Sequence, residues 1–185
     1  DAIPVTIEAT TSTGVRMTVL GSPDNAVRES LDRIKTAITH NFYDFPKGGL
    51  VINLAPGDLR KEGSGYDLGM ALGTMATIRP IDPDLLQQHM VMGELSLDGT
   101  IKKIRGALPM AILARKLGLK GFILPRENAG EAAIVDGLDV IPVDHIRDAV
   151  EYLNARRSIE PISKDTRKLF AEAQDQLLED LTDVK

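Results

Sequence analysis

From residue 100 onward the hydrophobic pattern switches repeatedly between two periods, and this alternation narrows the choice of fold more than any other feature. "GALPMAILARKLGL" has helical spacing, "GFILP" is a short apolar run, and "ENAGEAAIV" is helical again. "LDVIPV" is a second apolar run, and "DHIRDAVEYLNARR" is a third helix for which Asp144 is the expected N-cap. Helices that take turns with short apolar strands describe a sheet covered on its faces by helices.

The first half reads differently. Residues 3–10 (IPVTIEAT) and 15–20 (VRMTVL) alternate apolar with polar positions, with Ser12-Thr13-Gly14 between them, and predict a hairpin. In the next stretch Val27, Leu31, Ile34 and Ile38 share one helix face, with Ser22 as expected N-cap and Pro23 at the first helical position. Residues 49–56 (GLVINLAP) form a short strand, and a helix follows through Leu68, Leu72, Met75 and Ala76. Asp98-Gly99, inside residues 90–104, favours a tight hairpin turn. Strands grouped first and helix–strand alternation second give a mixed α/β (α+β) fold rather than a pure doubly wound sheet.

A chain of 185 residues buries enough surface to fold without disulfides or metals, and the absence of cysteine removes thiol catalysis and zinc fingers. Its net charge is −5, so the chain as a whole is not a nucleic-acid grip, although a local basic patch is compatible with that total. Aromatics make up 4% of residues with no Trp, which argues against a base-stacking platform. No apolar segment is long enough to span a membrane, no signal peptide opens the chain, and the expected compartment is the cytoplasm. The opening "DAIPVTIEAT" is already strand-like, as in a chain that begins part-way into a domain. Residues 1–155 read as that domain. Residues 156–185 read as a linker and a solvated helix with an apolar stripe of Leu169, Ala173, Leu177 and Leu181.

The chemistry concentrates in "DLRKEGSGYDLGMALG", residues 58–73, which reads as a surface loop rich in glycine and charge before a helix. It is not a nucleotide loop. The G-x-x-x-x-G-K-[ST] pattern needs a Lys directly after its glycine, and Gly-Lys occurs nowhere in the chain. Ser64 sits where backbone amides at a helix start can stabilise an oxyanion, but the three histidines, His40, His89 and His145, are scattered and suit surface or capping roles. No metal-ligand spacing is present. Of the acids that one cleft could gather, Asp67 is placed to cap the following helix, Asp98 is a turn residue, and Glu94 is placed to pair with Lys61 or Arg60, while Glu62 stays in the loop.

Three stretches together carry a family resemblance: "VINLAPGDLRKEGSGYDLGMALG" (51–73), "MGELSLDGTIKKIRGALPMAILARK" (92–116) and "GFILPRENAGEAA" (121–133). In order and spacing they resemble the N-terminal domain of the magnesium-chelatase-like AAA+ ATPases, the YifB and ComM family, over residues 1 to about 155. The resemblance implies a Lon protease-like, ribosomal protein S5 domain 2-like fold whose first strand precedes residue 1. It also implies that Gly65 stands at the nucleophilic-serine position of Lon-type peptidases and Leu108 at the lysine position. Ser64 is one residue out of register, and Lys102 and Lys103 lie elsewhere on the hairpin. The implied domain is therefore non-catalytic. Its functional loop is Lys61, Glu62, Gly63, Gly65, Tyr66, Asp67 and Glu94, and Arg60, Lys102, Lys103 and Arg105 offer a basic patch toward DNA. The alternative is a Lon-type serine peptidase using Ser64. No cofactor is implied for these residues. ATP and Mg2+ belong to an AAA+ module beyond residue 185, which with neighbouring subunits of a ring is the implied partner. In the competence members, that motor drives DNA branch migration.

Overall fold

The computed structural model describes residues 1–78, 81–163 and 166–182. The chain runs β1 (Thr6–Ser12), β2 (Met17–Leu20), α1 (Asn25–His40), β3 (Gly49–Ala55), α2 (Asp67–Ile78), α3 (Pro83–Gln87), β4 (His89–Val91), β5 (Glu94–Leu95) and β6 (Ile101–Lys102). It continues through α4 (Ala107–Lys116), β7 (Gly121–Pro125), α5 (Arg126–Ala132), β8 (Asp139–Val143), α6 (Ile146–Leu153) and α7 (Thr166–Thr182). Among the described residues, no helix is long and apolar enough to cross a membrane.

The first sheet has the order β1-β3-β2. β1 runs antiparallel to β3 from Thr6 opposite Ala55 to Ser12 opposite Gly49, and β2 runs parallel to it from Met17 opposite Leu50. The expected hairpin of β1 and β2 does not form, because β3 lies between them. The reason is burial: Leu50, Ile52 and Leu54 of β3 are fully enclosed, whereas β1 and β2 alternate half-buried with exposed residues and suit the two edges. The alternation was legible, but it reports a wet face and not a neighbour.

The second sheet, β4-β7-β8, is parallel throughout. Successive strand residues point to opposite faces. Ile123 and Ile141 accordingly join the core under α1, α2 and α6, while Phe122, Leu124 and Val140 pack beneath α4 and α5. α2 runs through the middle, with Leu68, Met70, Ala71, Leu72 and Met75 all buried. The β5–β6 hairpin turns at Asp98-Gly99 as the dipeptide predicts, with Gly99 at φ 93°.

Two caps differ from expectation. α1 is capped by Asp24, whose carboxylate accepts the Val27 N–H at 2.8 Å, while Ser22 donates its hydroxyl to the Gly57 carbonyl at 2.5 Å. α6 is capped by His145, whose Nδ1 accepts the Arg147 N–H, and Asp148 accepts the His145 N–H in return. Asp144 instead pairs with Arg126 at 2.8 Å. After α6 the chain turns back, and Ile162 donates its N–H to Val140 of β8 at 2.9 Å. Of the apolar stripe on α7, Ala173 and Leu177 are exposed, and Leu169 and Leu181 fall outside the residues whose side chains are described.

His89 is buried rather than a surface or capping residue. Its Nδ1 lies 2.8 Å from the Leu85 carbonyl and its Nε2 2.9 Å from the Tyr152 hydroxyl, so the ring joins α3, β4 and α6. Burial lowers its pKa below 6.5, outweighing the Leu85 carbonyl. A base with a lowered folded-state pKa adds stability above its unfolded pKa and loses it as pH falls through the folded value. Urea unfolding should therefore show stability declining below about pH 6.5, at up to about 1.4 kcal/mol per pH unit from this proton. His89→Gln should flatten that portion of the profile. An unchanged slope in the variant would assign the decline to other groups.

Candidate functional site

The glycine-rich loop between β3 and α2 is held from inside. Lys61, expected on the loop surface, has no exposed area, and its ammonium donates to the carbonyls of Gly21 (2.7 Å) and Pro56. Its backbone is paired as well: its N–H donates to Ser22 and its carbonyl accepts from Asp24. Gly21 has φ 97°, and a Cβ there would lie 1.9 Å from the Leu54 carbonyl oxygen, so only glycine lets the backbone pass this close. Asp24 serves two partners at once. One carboxylate oxygen caps α1 and the other accepts the Gly63 N–H at 3.1 Å. Burial acts to raise the Asp24 pKa, but the Val27 and Gly63 N–H groups, helped by the Arg60 charge, bring it below the ordinary value.

Asp67 does not cap α2. It is completely buried, and its carboxylate accepts the Ser30 hydroxyl, the Arg33 guanidinium (Nε 3.1 Å, Nη2 3.2 Å) and the Leu95 N–H (3.0 Å). One side chain thus ties α1, α2 and β5 together. Burial pushes its carboxyl up, opposed by Arg33, Ser30 and the Leu95 N–H, and the bond to Asp67 holds Arg33 in its charged form. Neither Ser30 nor Arg33 was singled out from the sequence. The signal was present, since Ser30 interrupts the apolar stripe three residues after Val27 and four before Ile34.

Glu94 pairs with neither Lys61 nor Arg60; it accepts the Ser64 hydroxyl at 2.7 Å. Arg60 pairs with Glu62 at 3.4 Å on the surface. Among the described residues, no lysine or histidine bonds to Ser64. Gly65 and Gly93 lie side by side, with Gly93 N–H donating to Gly65 at 2.9 Å and Leu68 N–H to Gly93 at 3.0 Å. A Cβ on Gly65 would sit 3.0 Å from the Met92 methyl, so that side chain closes the space beside it. Leu108 is half-buried, and its N–H donates to Glu131. Tyr66 packs against the core, where burial, then the charges of Asp24 and Glu62, raise its pKa.

Lys102, Lys103 and Arg105 are exposed and form no ion pair among the described residues. Buried Asn128, another residue the sequence reading passed over, fixes their segment by pairing with both the N–H and the carbonyl of Ile104 at 2.9 Å. No hydrogen bond or ion pair joins them to Arg60, which lies by Asp24 and Asp58 at the start of α1. Among the described residues, no three His, Cys, Asp or Glu side chains gather as metal ligands.

The family model for subunit ChlI of Mg-chelatase matches residues 7–128. YifB of Escherichia coli K12 is 33% identical over 161 residues, 86% of this chain and 32% of that protein. The competence protein ComM of Haemophilus influenzae is 31% identical over 181 residues, 97% of this chain and 35% of its own length. A Lon protease of Methanosarcina barkeri is 28% identical over 148 residues, 73% of this chain and 18% of the protease. The chain thus spans about a third of the length of the YifB and ComM relatives it matches. Its mixed α/β architecture is Lon-like, and with the family model covering 7–128, the chain belongs to the magnesium-chelatase-like family of YifB and ComM.

Proposed function

We propose that this chain is the recognition and assembly module, without catalysis of its own, of a cytoplasmic Mg-chelatase-like AAA+ ATPase. In this reading residues 1–155 form the Lon-like domain, and 156–185 lead toward an AAA+ module that binds ATP and Mg2+. The residues present do not fit a nucleotide: Gly-Lys is absent, and the ammonium of Lys61 in the glycine-rich loop is spent on two carbonyls. The module's partners are its own AAA+ domain and neighbouring subunits of a ring. DNA is the partner proposed for Lys102, Lys103 and Arg105, within a motor that drives branch migration in natural transformation, a reading supported by the similarity to a competence protein.

The observation that carries the non-catalytic part is the Ser64–Glu94 bond. A serine nucleophile of the Lon kind needs an amine beside it, and here a carboxylate takes the hydroxyl while the nearest lysine in sequence is buried elsewhere. The second reading, a Lon-type peptidase using Ser64, is favoured by the similarity to Lon protease. Incubation with a serine-reactive fluorophosphonate separates the two. Labelling should not exceed that of Ser64→Ala; stoichiometric modification at Ser64 would make the domain a hydrolase.

A further inference from the structure

Helix α6 ends in a turn that sends the chain back over the sheet it has just left. The Arg156 N–H donates to the Glu151 carbonyl at 2.9 Å, and Ala155, which follows the C-cap Asn154, has φ 60°. Glycine is the usual occupant of that position, and a residue with a Cβ is strained there. The reversal brings Ile162 against β8, the strand at one end of the β4-β7-β8 order.

Few contacts hold residues 157–162 in place. Ile162 bridges Val140 in antiparallel sense, and its N–H donates to the Val140 carbonyl at 2.9 Å. Ile159 packs against the core under α1, α2 and α6, and Ile162 against the core beneath α4 and α5, so the segment reaches both. Both isoleucines stay half-buried, while Ser158, Glu160 and Pro161 are exposed. Arg157 pairs with Asp148 at 2.6 Å, with half of the arginine side chain still in water. A cleft of about 230 Å³ remains between the segment and Arg126 and Pro142, so packing beneath it is incomplete. Ordering six residues costs conformational freedom. What offsets that cost among the described residues is one backbone bond to β8, two half-buried side chains and a half-exposed ion pair.

We propose that residues 157–162 are a releasable strap: they unfasten from β8 as one unit, turning at Ala155, while the rest of the domain stays folded. Segments held by few buried apolar contacts open locally at a free energy below that of global unfolding. Release uncovers the edge of β8 and leaves the Val140 carbonyl open to another extended segment. It also frees the direction in which the chain runs on to α7. Amide exchange of the 185-residue chain, followed residue by residue by NMR, tests the strap. The Ile162 N–H should exchange roughly 100-fold or more faster than the slowest amides of β7, and about tenfold or more slower than in an unstructured peptide. Ile159→Ser should speed Ile162 exchange about tenfold and Arg157→Gln about threefold, both with β7 unchanged. Ile162 exchanging as slowly as β7 would make the segment part of the fixed core and overturn the proposal. So would an Ile159→Ser variant that speeds both regions alike or neither, or wild-type exchange at Ile162 as fast as in an unstructured peptide.

Discussion

Asp67→Asn should lower the stability of this domain by about 3–5 kcal/mol, measured as a shift of the urea unfolding curve. The side chain has no exposed surface, and its two oxygens take bonds from Ser30, Arg33 and the Leu95 N–H. Asparagine keeps the shape but removes the charge, and it turns an NH2 group toward donors that need an acceptor. Arg33 then loses its one ion-pair partner among the described residues. Because Arg33 is a quarter exposed, water can reach part of its charge, which favours the lower end of the range. The pair can be apportioned further. Arg33→Met together with Asp67→Leu removes both charges, and should recover much of what the single change loses, because no uncompensated ion remains. A single-variant loss under about 1 kcal/mol would reduce the contact to the level of a surface salt bridge.

The same residue shows where sequence reasoning succeeds and where it stops. The α2 helix was legible because its apolar positions recur at helical spacing, and β7 and β8 because their side chains are apolar on both faces. Gly99 at positive φ was legible from Asp98-Gly99, since few residues accept that backbone. Pairing was not. The alternation of β1 and β2 records one wet face each, and nothing in it states that β3 inserts between them. Caps failed for a related reason. Ser22 and Asp24 both suit the start of α1, and the choice turns on Gly63, which needs a second acceptor oxygen from a distant loop; a carboxylate supplies two. At the site, charged residues near glycines read as surface, whereas Lys61 and Asp67 face inward because α1 and the β2–α1 connection bring partners that no local pattern announces.

Lys61→Met tests that inward reading most directly, and should cost about 3 kcal/mol in urea unfolding. Methionine fills nearly the same volume, so little of the loss comes from a cavity. What disappears is the donor to the Gly21 and Pro56 carbonyls, and neither oxygen has another side chain to turn to among the described residues. Lys61→Arg should not rescue it. The guanidinium is broad and planar, and the space between the two carbonyls is enclosed. Lys61→Ala should be worse than Lys61→Met, because it adds an empty volume to the unpaired acceptors. The consequence extends beyond stability. Lys61 also pairs through its backbone with Ser22 and Asp24, so loosening it should free the loop that carries Ser64 and Gly63 while leaving the parallel β4-β7-β8 sheet intact. Amide exchange in Lys61→Met should therefore rise first at Gly63 and at the start of α1. Faster exchange at β7 and β8 instead would mean that Lys61 supports the whole core and not the loop.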